Sequence, residues 1–216
     1  MCPPGAPSWT SLGREPNVPA DGCVLCVGTL EPRKNIGVLL DAYTRLLNTG
    51  VRVPRLVLAG RATPASAEWL ARIDMAPLAG HVTHLGYVAD GEREALYRSA
   101  RLLVMPSLDE GFGLPALEAM SAGVPVIVSS RGALPEVVGA AGALVDPGDA
   151  DALADAIARA IRDDAWSLTA AQAGLERAHG YNWTDSAAML RRAYTDAVAR
   201  RHGTPVGRPL TGRQSG

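Results

Sequence analysis

Between residues 23 and 163, six short apolar runs alternate with six stretches of helical periodicity, and this alternation restricts the fold more than any other feature. The runs at 23–27, 55–59, 82–85, 101–105, 125–128 and 143–145 read as strands. Helical stretches follow near 35–48, 64–77, 91–99, 114–122, 133–138 and 149–163. In the first, Ile36, Leu39, Leu40, Tyr43, Leu46 and Leu47 recur every three or four positions, and Gly50 follows as a C-terminal cap. Strands that alternate with helices in this way form a parallel sheet covered on both faces. The expected class is therefore α/β: a doubly wound, Rossmann-like, six-stranded parallel sheet with helices on both faces.

The ends differ from this body. Residues 1–20 carry five prolines and no apolar period, which predicts a flexible linker or arm. The body is expected over 21–201 and closes with two helices, around 164–178 and 184–201, separated by Gly180-Tyr-Asn-Trp183. A polar, Gly/Pro-rich tail, 202–216, is expected to be disordered.

Composition removes several function classes. Hydrophobic residues make up 47% of the 216 residues and charged residues 20%, which favours a packed core over disorder. A net charge of −1 argues against a nucleic-acid surface. No apolar run reaches the roughly 20 residues that span a bilayer, and no signal peptide is visible. Three cysteines are too few for a disulfide scaffold and fit a reducing compartment, so a cytoplasmic location is expected. Lys34 is the only lysine in the chain.

Two loops that leave strand ends carry the chemistry. After the first strand comes Gly28-Thr-Leu-Glu-Pro-Arg33-Lys34-Asn35. After the fourth comes Asp109-Glu-Gly-Phe-Gly-Leu-Pro-Ala-Leu-Glu118, where two glycines allow a sharp turn and Pro115 suits the first turn of a helix. The free amides of that turn, with the positive end of the helix dipole, can hold a phosphate. Glu110 and Glu118 bracket it and can accept hydrogen bonds from sugar hydroxyls. In a doubly wound sheet, strands one and four flank the point where chain order reverses, so both loops are expected to face one crevice. Cations next to a helix N-terminus are mildly unfavourable, which points to a partner anion near Arg33 and Lys34.

With these motifs the sequence resembles the carboxyl-terminal, donor-binding domain of retaining glycosyltransferases of the GT-B fold, in the glycosyl transferases group 1 family. The likeness runs from about residue 24 to 201. It includes Val27-Gly-Thr-Leu-Glu-Pro-Arg-Lys-Asn35, Leu56-Val-Leu-Ala-Gly60, Leu85-Gly-Tyr-Val88, Met105-Pro-Ser107, the Glu-x7-Glu element, Ala122-Gly-Val-Pro-Val126, Leu134-Pro-Glu-Val-Val138 and Leu144-Val-Asp-Pro147. The resemblance implies a nucleotide-diphospho-sugar as co-substrate, with neither cofactor nor metal. It assigns Glu110 to the donor sugar, Glu118 to the ribose, and Gly28 and the amides around Phe112, Gly113 and Leu114 to the sugar and diphosphate. It also assigns Tyr87 and Val88 to the base pocket, and Arg33 and Lys34 to the leaving diphosphate. Many members carry an arginine directly after the first-loop glycine, where this chain has Thr29; Arg33 is expected to compensate.

The Glu-Pro-Arg-Lys-Asn loop is similar to that of members using GDP- or UDP-linked sugars, often mannose. The resemblance further implies an amino-terminal acceptor domain that this chain lacks, an acceptor glycan or lipid-linked sugar in polysaccharide biosynthesis, and membrane association only for a full-length enzyme. The final helix, with Trp183 and Tyr194, would then leave apolar surface exposed, and the isolated chain is expected to transfer nothing.

Other patterns carry less. Cys23-x-x-Cys26 and His81-x-x-His84 imitate a zinc set, yet residues three apart on a strand point to opposite faces. Asp149-Ala-Asp151 opens a helical run, where an aspartate caps the first amides. No Gly-x-Gly-x-x-Gly follows the first strand, which disfavours nicotinamide or flavin chemistry. Alternatives from other classes are a sugar-nucleotide epimerase of related architecture, a non-catalytic interaction module, and a glycosidic phosphorylase that would need Lys34 for a pyridoxal cofactor.

Overall fold

A computed structural model describes residues 4–7 and 15–201, with side chains as far as 198. The strands are β1 (Cys23–Val27), β2 (Leu56–Ala59), β3 (Val82–Gly86), β4 (Ala100–Met105), β5 (Val126–Ser129) and β6 (Ala143–Val145). The helices are α1 (Ile36–Asn48), α2 (Ala67–Ile73), α3 (Asp90–Arg98), α4 (Leu114–Ser121), α5 (Leu134–Val138), α6 (Ala150–Arg162), α7 (Asp164–His179) and α8 (Trp183–Arg201). One sheet holds all six strands, every pairing is parallel, and the order is β3-β2-β1-β4-β5-β6. The expected doubly wound architecture is the one observed.

Right-handed crossovers dictate where the helices lie. The chain moves outward from β1 to β3, then returns past β1 to β4 and continues to β6. Helices α1 and α2 therefore cover one face and α3, α4 and α5 the other. Helix α6 packs on α1, and α7 packs on α4. Residues of β2, β4 and β5 are all buried, as expected of central strands that face helices on both sides. Leu85 on β3 and Leu144 on β6, at the two sheet edges, stay exposed.

Several local signals act as the sequence predicts. Gly50, with φ 71°, follows the last turn of α1. The Asp149 side chain accepts from the Ala152 amide at 2.9 Å and caps α6.

The described residues divide into two compact units. Of these residues, one unit takes 6–7 and 15–180 and contains the whole sheet; the other takes 4–5 and 181–201. In the second unit, Asn182 caps α8 by accepting from the Asp185 amide at 2.8 Å, and Trp183, Tyr194 and Val198 are exposed. Residues 15–20, expected to belong to a flexible arm, are instead tied to the sheet unit. The Asn17 amide donates to the Gly123 carbonyl at 2.8 Å, and the Asn17 side chain donates to the Arg98 carbonyl at 2.8 Å. The expected tail, 202–216, lies outside the described residues. No helix among the described residues is long and apolar enough to cross a membrane.

Candidate functional site

The reversal of chain order falls between β1 and β4, and the loops leaving these strands are joined at several points. Asn35 adopts a left-handed backbone (φ 57°), and its side chain donates to the carbonyls of Pro106 at 3.0 Å and Pro147 at 2.7 Å. The Leu108 amide donates to the Arg33 carbonyl at 2.7 Å. Three loops at one end of the sheet are thereby held together through backbone groups.

Lys34 and Glu110 meet inside this junction. The lysine is 7% exposed and the glutamate 8%, and the ammonium donates to Glu110 Oε1. Ser107 donates to the same oxygen at 3.0 Å, and Arg33 reaches Oε2 at 3.3 Å. Buried charges need such partners, because desolvation without compensation is costly. The Glu110 backbone is also clamped: the Ala133 amide donates to its carbonyl at 3.1 Å, and a Cβ at Gly132 would come within 2.9 Å of its nitrogen and oxygen.

Next to Gly28, against which Lys34 packs, lies a cavity of about 440 Å³. Its walls come from the β1 loop (Gly28, Thr29), the β2 end (Gly60, Arg61), the β3 loop (Tyr87, Val88), α3 (Arg93, Leu96, Tyr97) and the start of α4 (Leu114, Pro115). Two features make room for it. At Gly60 (φ 154°) a Cβ would sit 1.9 Å from the Gly28 carbonyl oxygen, so the ends of β1 and β2 approach as only glycine permits. At Gly28 a Cβ would stand 2.7 Å from Lys34 Cε and 3.1 Å from Nζ, which places the ammonium directly against the cavity wall. Helix α4 starts after Gly113 (φ 92°) with a proline in its first turn, as expected.

Glu118, in α4, is 8% exposed and turns toward α3. Its carboxylate accepts from the Arg93 guanidinium and, at 2.7 Å, from the Tyr97 hydroxyl. Burial pushes the Tyr97 phenol well above its ordinary pKa, with the Arg93 charge opposing, so Tyr97 remains a donor across the physiological range. Arg93 also contacts Asp90 at 3.0 Å. Below the cavity, burial pushes the Cys26 thiol up to about 12; the positive charge of Lys34 opposes this shift and the negative charge of Glu110 adds to it.

Of the residues singled out from sequence, Gly28, Tyr87, Val88 and Leu114 line the cavity, and Gly113 leads into the helix that closes it. Lys34 touches its wall, and Glu118 holds two residues that line it. Arg33, Glu110 and Phe112 do not line it. The Arg33 guanidinium lies 2.6 Å from Glu31, outside the cavity, and half its side chain is exposed. The two carboxylates, expected as open acceptors, are engaged by internal cations and hydroxyls. Sequence reasoning missed Arg61, Arg93 and Tyr97. Arg61 was open to detection as the residue directly after the β2 strand end, and Arg93 and Tyr97 as an i, i+4 pair on one helix face.

The model of the glycosyl transferases group 1 family matches residues 21–163. The chain belongs to the glycosyl transferases group 1 family. Among curated members of this and related glycosyltransferases, it is 42% identical over 174 residues to an O-antigen chain mannosyltransferase B of Escherichia coli, covering 80% of this chain and 45% of that one. It is 36% identical over 167 residues to a phosphatidyl-myo-inositol mannosyltransferase of Mycobacterium leprae, covering 76% and 43%. The chain thus spans less than half the length of these curated relatives.

Among solved structures, a sucrose-phosphate synthase of Thermosynechococcus elongatus superposes with a TM-score of 0.73 at 34% identity, over 85% of this chain and 47% of that one. The C-terminal domain of a glycosyl transferase group 1 family protein from Francisella tularensis gives 0.65 at 28% identity, over 73% of this chain and 85% of that domain. The neighbours are glycosyltransferases of the GT-B fold, and this chain matches their C-terminal half.

Proposed function

We propose that this domain binds the donor of a retaining glycosyltransferase, a nucleotide-diphospho-sugar linked to GDP or UDP. One observation carries this reading: the β1 loop with Lys34 behind it and the N-terminus of α4 border the same cavity. A diphosphate placed there meets an ammonium on one side and the positive end of the α4 dipole on the other. Relatives named as mannosyltransferases support a sugar-transfer role, with mannose as the favoured sugar.

The chemistry follows from the charges. As the bond between the sugar anomeric carbon and the diphosphate oxygen breaks, negative charge accumulates on the diphosphate. Lys34 and the α4 amides are already in place, so they stabilise the transition state more than the ground state. The acceptor hydroxyl bonds to the anomeric carbon on the same face, and its proton passes to a diphosphate oxygen. Glu110 fixes the ammonium and has lone pairs left for a sugar hydroxyl. Glu118 receives the ribose hydroxyls while Arg93 and Tyr97 hold it in place. A carboxylate beside the diphosphate would repel it, and Glu118, set back against α3, avoids this.

Transfer requires a second domain that faces the strand ends and brings the acceptor. The described unit therefore binds donor without turning it over, and full activity belongs to the two domains together, at the cytoplasmic side of a membrane.

Calorimetric titration of the folded chain with nucleoside diphosphates, with and without EDTA, tests this proposal. Saturable binding that survives the chelator is the expected result. Absence of heat and of any thermal shift at millimolar ligand, with the chain folded, would reject it.

A further inference from the structure

Arg61 is the cavity-lining cation whose charge is unmatched. Arg93 is held by Asp90 and Glu118, and Lys34 and Arg33 are held by Glu110 and Glu31. Among the described residues Arg61 has no carboxylate partner. Its guanidinium carbon lies 4.7 Å from the centre of the Tyr87 ring, in a cation–π contact. Tyr87 itself is 62% exposed beside the cavity. A guanidinium offers five N–H donors and no acceptor, so an occupant at this end must supply acceptors.

The sheet order gives the position of this pair along the cavity. Arg61 follows β2 and Tyr87 follows β3, one and two strands out from β1. Strands lie about 4.8 Å apart, so the pair stands roughly 5–10 Å from the Gly28 end where the diphosphate would sit. That is the reach of a nucleoside from its diphosphate. The Arg61 backbone is fixed there, because its carbonyl accepts from the Leu30 amide at 2.9 Å. Val88, Leu96 and Leu114 supply apolar walls suited to a flat ring.

Building on the donor-binding reading, we propose that Arg61, braced on Tyr87, contacts the donor's base and selects guanine. A planar guanidinium fork is satisfied by two acceptors side by side. Guanine presents such a pair, O6 and N7, on one edge; adenine sets a donor beside N7, and uracil has a single oxygen on the corresponding edge. Arg61 is thus a specificity residue, and the phosphate contacts are left to Lys34 and α4.

Calorimetry on the full chain decides the matter, using GDP, UDP, ADP, 7-deaza-GDP and pyrophosphate against wild type and Arg61→Ala, with thermal unfolding as the check on folding. A bidentate pair to a base is worth about 1–3 kcal/mol, so wild type should prefer GDP over ADP and UDP by about tenfold or more. Arg61→Ala should lose that preference while its pyrophosphate affinity stays unchanged. Wild type should bind 7-deaza-GDP, which lacks one acceptor, more weakly than GDP. UDP or ADP binding tightest, an unaltered GDP affinity in Arg61→Ala, or an equal loss for pyrophosphate would each overturn the assignment, the last by making Arg61 a phosphate ligand. If wild type binds nucleoside diphosphates without preference, the base assignment falls and donor binding stands; if it binds none, both fall.

Discussion

The ammonium of Lys34, from the loop after β1, is bonded to the carboxylate of Glu110, 76 residues further along in the loop after β4. Both side chains are more than nine-tenths buried, so the pair locks the two strand ends that flank the chain reversal. Removing Glu110 leaves the Lys34 charge buried and unmatched, and removing Lys34 leaves Glu110 with only the Ser107 hydroxyl and the half-exposed Arg33 at 3.3 Å. Lys34→Ala is expected to destabilise the fold by about 3–5 kcal/mol, and the double variant Lys34→Met with Glu110→Leu by clearly less. Urea unfolding of both single variants and the double variant measures the difference; a double-variant loss equal to the sum of the two single losses would show that the pair is not coupled.

The approach of β1 to β2 depends on Gly60. Its Cβ would overlap the Gly28 carbonyl, whereas a Cβ at Gly80 (φ 80°) meets nothing within 4 Å. Gly80→Ala therefore pays only the left-handed backbone penalty, about 1–2 kcal/mol. Gly60→Ala should lose considerably more and deform the cavity. Melting temperatures of the two variants rank them, and a smaller loss for Gly60→Ala would contradict the geometry.

Tyr97 acts through Glu118. Tyr97→Phe removes a hydrogen bond to a charged group, and a stability loss of about 1.5–3 kcal/mol is expected. Because Glu118 is assigned to the ribose, the same variant should weaken nucleoside diphosphates and leave pyrophosphate unaffected. Parallel titrations with the two ligands separate that role from a purely structural one, which would weaken both alike.

Alkaline pH should expose the buried acids. Cys26, Tyr43 and Tyr97 all have pKa values raised by burial, so the folded state holds protons that the unfolded state releases first. The corresponding stability is complete below the ordinary thiol value of 9.0, and the Cys26 part is lost as pH rises from there toward about 12. Unfolding midpoints between pH 8 and 11 should fall, and Cys26→Val should make the decline shallower. A midpoint independent of pH would contradict the burial assigned to these groups.

Much of the fold was legible in the sequence because each strand is a short apolar run buried on both faces and each helix carries its own period. The stretch 64–77, which reads as one helix, is a 3-10 turn followed by α2, which ends at Ile73. Pro77 disfavours helical backbone at Ala76, and the chain leaves the helix before reaching it. Within the site, Lys34 and α4 were legible because strand order alone brings them together. The orientation of Arg33 was not, since nothing local shows that a neighbouring Glu31 draws its guanidinium away from the cavity. Arg61 and Arg93 were missed for a related reason: each is one arginine among many in sequence, and only tertiary packing sets them on the cavity wall.

A chain with a single lysine permits a direct test of the central claim. Protein labelled with 15N at lysine Nζ gives one ammonium resonance, that of Lys34, which can be followed while a nucleoside diphosphate is added. A saturable shift of that resonance, reproduced by pyrophosphate alone, is the predicted result. Binding detected by calorimetry while the Lys34 signal stays in place would put the ligand elsewhere and contradict the diphosphate site.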